Sequence, residues 1–155
     1  MITDLLTDIA KLGIKMRIFR AIQMADSDAG ILKDREILIL EILKTQGPMS
    51  MTELSNFFPG VRQSTLSTDI KKLRTELDLI DMKVDKNDMR IHLIELSDKG
   101  REKIDEIKSQ RARSFIPLAK AIGTDPDEIK LMNQVVRRAI ALVDQEINVF
   151  AESNK

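Results

Sequence analysis

The sequence predicts a mainly α-helical protein with one small β-hairpin, on three observations. Apolar residues recur at spacings of three and four through most of the chain, the spacing of amphipathic helices. Two β-prone stretches, Leu79 to Val84 and Arg90 to Leu96, flank the polar turn cluster Asp85-Lys86-Asn87-Asp88. Finally, Gly47-Pro48, Pro59-Gly60 and Gly123 fall between these segments and mark their boundaries.

The first helix is expected from Ile2 to about Met24, with Leu5, Ile9, Leu12, Met16 and Phe19 on one stripe that needs a partner. Ala25 to Gly30 is small and polar and reads as a loop. From about Lys33 to Thr45, the residues Ile37, Ile39, Leu40, Ile42 and Leu43 predict a short buried helix, stopped by Gln46-Gly47-Pro48. Ser50-Met51-Thr52-Glu53 has the form of a capping box, in which Ser and Glu side chains satisfy free amides at a helix start, so another helix is expected to about Phe58. Pro59-Gly60 breaks the pattern. A further helix, beginning near Arg62, then carries Leu66, Ile70, Leu73 and Leu77 on one face.

After the hairpin, Ser97 precedes Asp98, Gly100 and Glu102 and opens a polar helix through about Arg113. Phe115 to Ile122 forms a further helical stretch that Pro117 is placed to kink, and Gly123 ends it. Asp125-Pro126-Asp127-Glu128 combines an N-cap, a proline at the first helical position and acids in the first turn. The last helix is expected to reach about Phe150. Its stripe, Ile129, Met132, Val136, Ile140, Val143, Ile147 and Phe150, spans more than three heptads.

A core helix, a short helix, a tight turn, a second helix and a β-hairpin, in that order, constitute a winged helix-turn-helix. With Leu66, Ile70, Leu73 and Leu77 turned inward, the other side of the second helix offers Ser64, Thr68, Lys71, Lys72 and Thr75, flanked by Thr65 and Ser67. Small hydroxyl side chains allow a helix to approach a groove closely and bond base edges or phosphates. Arg62 and Gln63 at the helix start are longer readers, suited to guanine and adenine. Lys71 and Lys72 suit phosphates. The residues expected to contact double-stranded DNA are therefore Arg62, Gln63, Ser64, Thr65, Ser67, Thr68, Lys71 and Lys72, with Lys86 on the wing.

Composition narrows the alternatives. The 155 residues suffice for one domain with helical extensions, and 25 basic residues balance 25 acidic ones. Global charge therefore gives no drive toward nucleic acid, and affinity is expected to be modest and salt-sensitive. The absence of cysteine removes disulfides, thiolate chemistry and cysteine-based zinc sites. His92, the single histidine, has no second ligand nearby in sequence, so a packing or hydrogen-bonding role is expected, and no metal or other cofactor. No phosphate loop, nucleophile elbow or metalloprotease motif occurs, and no catalytic role is assigned. No apolar run suits a membrane span, and a cytoplasmic protein is expected.

Glu53-Leu54-Ser55, Gln63-Ser64-Thr65-Leu66-Ser67 through Leu73, Asp88-Met89-Arg90, and Leu96-Ser97-Asp98-Lys99-Gly100-Arg101-Glu102 together resemble the MarR family of bacterial and archaeal regulators. The last piece is similar to that family's Leu-Thr-x-x-Gly-x-x pattern. With its flanking helices, the resemblance covers nearly the whole chain. It implies a homodimer built from N- and C-terminal helices, two winged domains on a pseudo-palindromic operator, a regulator or repressor role, and a small-molecule effector as a candidate partner. It also implies that Asp88 orients Arg90 and that Arg90 enters the minor groove, where a guanidinium suits a narrow, negative channel.

Two positions depart from the family pattern: Asp78 stands where Gly is common before the first wing strand, and Arg62 where Ser often caps the recognition helix. The expected organisation is an N-terminal dimerisation helix and loop over 1–30, a DNA-binding domain over 31–97 and C-terminal dimerisation helices over 98–155. A heptad stripe on the last helix and a matching one on the first exceed what a small winged core can cover. Zero net charge and an acidic wing leave a second reading open, a winged-helix module that binds protein with weak or no DNA contact.

Overall fold

A computed structural model of the chain describes residues 1–24, 32–116, 119–120 and 125–154. They divide into two compact units, Met1–Asp34 and Arg35–Lys155. The first unit contains helix α1 (Ile2–Met24). Leu5, Leu6, Ile9, Leu12, Ile14, Ile18 and Ile22 are all more than half exposed, so α1 presents apolar surface around much of its circumference. Its bounds match the expected helix. The expected loop at Ala25 to Gly30 lies outside the described residues.

The second unit holds the winged domain. Helix α2 (Asp34–Gln46) buries Ile37, Ile39, Leu40 and Leu43 and stops at Gly47, whose φ of 82° only glycine adopts easily. Strand β1 (Met49–Ser50) follows. Helix α3 (Met51–Asn56) carries the expected capping box: the Glu53 amide donates to Ser50 Oγ at 3.2 Å, and the Ser50 amide donates to Glu53 Oε2 at 2.7 Å. It ends two residues before the expected Phe58, which is nevertheless buried. Gly60, at φ 86°, makes the turn into helix α4 (Gln63–Thr75).

Strands β2 (Ile80–Val84) and β3 (His92–Leu96) form the hairpin, with Ile80 opposite Leu96 and Val84 opposite His92. The second strand begins two residues later than expected, because 85–91 is taken up by a loop. A third strand was not legible: β1 pairs antiparallel with β3, Met49 opposite Ile94 and Ser50 opposite Leu93, giving the order β1-β3-β2. Two residues are too few to show alternation. Apolar side chains from α2, α3, α4 and the sheet meet in one core with Ile104 and Ile107 of helix α5 (Asp98–Ser114). Leu54, Leu66, Leu73, Ile80 and Ile94 are among its fully buried members.

The entry to α5 is closely built. Ser97 Oγ accepts from the Gly100 amide at 2.9 Å and donates to the Asp78 carbonyl at 2.8 Å, while the Ser97 amide donates to the Leu79 carbonyl. A Cβ on Gly100 would sit 1.9 Å from the Leu79 carbonyl oxygen, so no larger residue fits.

The stretch Phe115 to Ile122, with Pro117, and its stop at Gly123 lie largely outside the described residues. Helix α6 (Pro126–Ser153) starts as expected on Asp125, whose Oδ1 accepts from the Asp127 amide, and runs three residues past Phe150. None of its residues is buried. Near its end, Phe150 packs edge-on against Phe57 with ring centroids 5.3 Å apart, and Gln46 Nε2 donates to Asn148 Oδ1. Among the described residues, no helix is long and apolar enough to cross a membrane.

Candidate nucleic-acid interface

Helix α4 faces the core with Leu66, Ile70 and Leu73, while Leu77, just past its end, is half-buried. Arg62, Gln63, Ser64, Ser67, Thr68 and Lys71 are exposed along the opposite side. Arg62 is the N-cap in extended backbone, and its side chain makes no capping bond. Thr68 Oγ1 donates to the Ser64 carbonyl at 3.0 Å and Thr75 Oγ1 to the Lys71 carbonyl at 2.7 Å. Their protons are used within the helix, and their oxygens keep acceptor capacity.

Thr65 and Lys72 are half-buried on the flank of the helix. The two lysines assigned together to phosphates thus sit in different surroundings. Lys71 points to solvent, whereas the Lys72 ammonium donates to both carboxylate oxygens of Glu36 at 3.0 Å. At roughly 100° per residue, Lys72 lies nearer the core edge of α4 than Lys71 does.

Glu36 is fully buried, occupying the N-terminal end of the stripe that continues through Ile39, Leu40 and Leu43. Beside it, Arg35 Nε donates to Asp69 Oδ2 at 2.5 Å, and Asp69 is only 3% exposed, between Leu66 and Leu73 on α4. The Asp69 carboxylate holds the Arg35 guanidinium above its ordinary pKa, against the lowering effect of burial. Two ion pairs therefore cross from α2 to α4, with opposite polarity. Sequence reasoning passed over Arg35, Glu36 and Asp69. The signal was present: Glu36 and Asp69 are acids standing at core positions of otherwise apolar stripes.

On the wing, Asp85 Oδ1 accepts from the Asn87 and Asp88 amides, and the Asp85 amide donates to the Ile91 carbonyl. Asp88 then holds Arg90 three times, by the Arg90 amide at 3.0 Å, Nε at 3.1 Å and Nη2 at 3.2 Å. Arg90 is otherwise 91% exposed, so the wing orients a guanidinium that would sample many rotamers. The Arg90 side-chain and amide bonds hold the Asp88 carboxyl below its ordinary range. Lys86 is exposed at the tip. Lys83 pairs across the strands with Glu95, which raises the lysine above its usual range.

His92 opens β3 and is exposed. With Ser50, Met51, Met82, Arg90 and Asn154 it borders a cavity of about 710 Å³ beneath the wing. Among the described residues, no three His, Asp or Glu side chains are grouped so as to hold a metal ion.

The class of domain follows from this geometry: α3, the Gly60 turn and α4 are a helix-turn-helix, and β2–β3 is its wing. Residues 32–100 match the family model of the winged helix DNA-binding domain. The chain has the fold of MarR-type transcriptional regulators. It is similar to the transcriptional regulator Tm0710 of Thermotoga maritima, with a TM-score of 0.72 and 18% identity over 94% of this chain and 98% of that one. A MarR family protein from Bacillus stearothermophilus matches with a TM-score of 0.69 and 19% identity over 95% of each chain. Bordetella bronchiseptica BpsR, whose DNA binding is regulated by 6-hydroxynicotinic acid, matches with a TM-score of 0.51 and 20% identity over 84% of this chain and 91% of that one. No protein of curated function matches by sequence.

Proposed function

We propose that this protein is a MarR-type transcriptional regulator that binds double-stranded DNA as a homodimer on a pseudo-palindromic operator. The observation that carries this reading is the exposed polar face of α4, from Arg62 to Lys71, set in a winged domain whose wing holds Arg90 in a fixed orientation. In this reading Gln63, Ser64, Ser67 and Thr68 meet base edges, with Arg62 at the groove edge and Thr65 beside them. Lys71 and Lys86 meet phosphates, and Arg90 enters the minor groove. Lys72 reaches the backbone only by sharing its ammonium with Glu36.

Dimerisation is supported by the exposed apolar face of α6, where Met132, Val136, Ile140 and Val143 are each about half exposed in a helix with no buried residue. The exposed apolar residues of α1 point the same way. Residues 1–30 and 98–155 then serve assembly and 31–97 serves DNA. A twofold pair presents its recognition helices to half-sites about 34 Å apart. BpsR's response to 6-hydroxynicotinic acid supports a small-molecule effector here too, and the size of the cavity beneath the wing suits one.

Replacing Lys71 with Ala tests the docking face. Affinity is expected to fall for all DNA sequences alike, with the salt slope reduced by about one ion. An unchanged slope would place the face elsewhere. The second reading, a protein-binding module, is favoured by the zero net charge and by Asp81, Asp85 and Asp88 on the wing. It predicts that no duplex sequence is preferred.

A further inference from the structure

We infer that Arg35, Glu36, Asp69 and Lys72 form a reciprocal ion-pair clamp that sets the rotation and register of the recognition helix α4 on α2, and so determines which side chains of α4 meet the bases. The inference rests on the DNA-binding reading above and names positioning residues for it.

The apolar part of the α2–α4 packing is less directional than ion pairing. Leu and Ile stripes tolerate volume-conserving rearrangement while area stays buried. The ion pairs do not. Glu36 is fully buried and Asp69 nearly so, and each finds its cation on the opposite helix, at 3.0 Å and 2.5 Å. On α2 the cation precedes the anion, Arg35 then Glu36; on α4 the anion precedes the cation, Asp69 then Lys72. Pairing in the other sense would set Glu36 against Asp69 and Arg35 against Lys72. Shifting α4 by a turn, about 5.4 Å, would strand both carboxylates in an apolar core. One register satisfies all four charges.

Such pairs add little net stability, because desolvation offsets their attraction, and apolar replacements of similar size are often neutral or stabilising. Their contribution here is therefore to pose. The outward face depends on it directly, since Ser64, Thr68 and Lys71 lie on the same rigid helix as Asp69 and Lys72, and a rotation by one residue, roughly 100°, would carry them out of the groove.

The test compares wild type with Glu36→Leu/Lys72→Leu and with Lys72→Arg, which keeps a cation for Glu36. Each is measured for thermal midpoint, for amide hydrogen exchange along α4, and for affinity toward the duplex best enriched by the wild type against a scrambled duplex. The double variant is expected to melt at or above the wild-type temperature, yet to exchange α4 amides faster and to lose about tenfold or more of its specific-to-scrambled ratio, the discrimination of one base pair. Lys72→Arg is expected to keep the ratio. An equal loss on both duplexes would overturn the inference and make Lys72 a phosphate contact. So would a ratio and exchange pattern unchanged in the double variant. If the wild type enriches no duplex, the DNA-binding reading fails and takes the base-reading half of the inference with it, while exchange along α4 still decides whether the pairs hold that helix.

Discussion

Single side chains decide how tightly the domain is built, and several are open to direct test. Asp78 adopts φ 58°, a left-handed conformation that disfavours side chains. Its carbonyl, which receives Ser97 Oγ, survives substitution. Asp78→Gly is therefore expected to stabilise the protein by about 1 kcal/mol in thermal or chemical unfolding, the relief of strain being partly offset by the freedom of glycine in the unfolded chain. Gly100→Ala is expected to do the opposite: its Cβ would collide with the Leu79 carbonyl, and either α5 or the start of β2 must move. A melting temperature unchanged in that variant would contradict the close approach. Asp88 is held below its ordinary pKa by Arg90, so the pair persists above the usual carboxylate range and is lost as pH falls through the lowered value. An NMR titration of the Asp88 carboxyl should show a midpoint below 3.8, and Arg90→Ala should return it to the ordinary value. Asp78 and Arg62 were visible in the sequence as departures from a family pattern. The positive φ at one and the uncapped helix start at the other are what those departures mean physically.

Among the elements, those that carry long periodicity or a cap were legible. α1, α2, α4, α5 and α6 begin within a residue of where Ser97, Asp125-Pro126 and the apolar stripes place them, because caps and stripes are local. β1 was not, since a two-residue strand is defined by its partner β3 rather than by its own sequence. The charged pairs between α2 and α4 were hidden for a related reason: an acid in an apolar stripe shows that something pairs with it, but not what. The face expected to be exposed on α4 is exposed except at Thr65 and Lys72, with Lys71 outward and Lys72 drawn back to Glu36. At this scale Leu66→Ala is expected to cost about 2–5 kcal/mol, as a fully buried leucine in the first turn of α4, and to weaken DNA binding only through loss of folded protein. Arg62→Ser should raise the melting temperature by supplying the missing cap while altering base preference at the edge of each half-site.

For the whole molecule, the balance of 25 basic and 25 acidic residues means that binding depends on where charge is placed rather than on how much there is. The exposed apolar surface of α6 is difficult to reconcile with a lone chain, and mass measurement in solution is expected to give a dimer; a monomer at every concentration would remove that part of the proposal. On the proposed reading, specific recognition by a neutral, twofold protein should persist where non-specific attraction has been screened away. Selection from a random duplex library at roughly 50 and 200 mM salt measures this directly. The predicted result is enrichment at both salts of an inverted repeat whose half-sites lie about one helical turn apart. Recovery of no common sequence at the lower salt would contradict it.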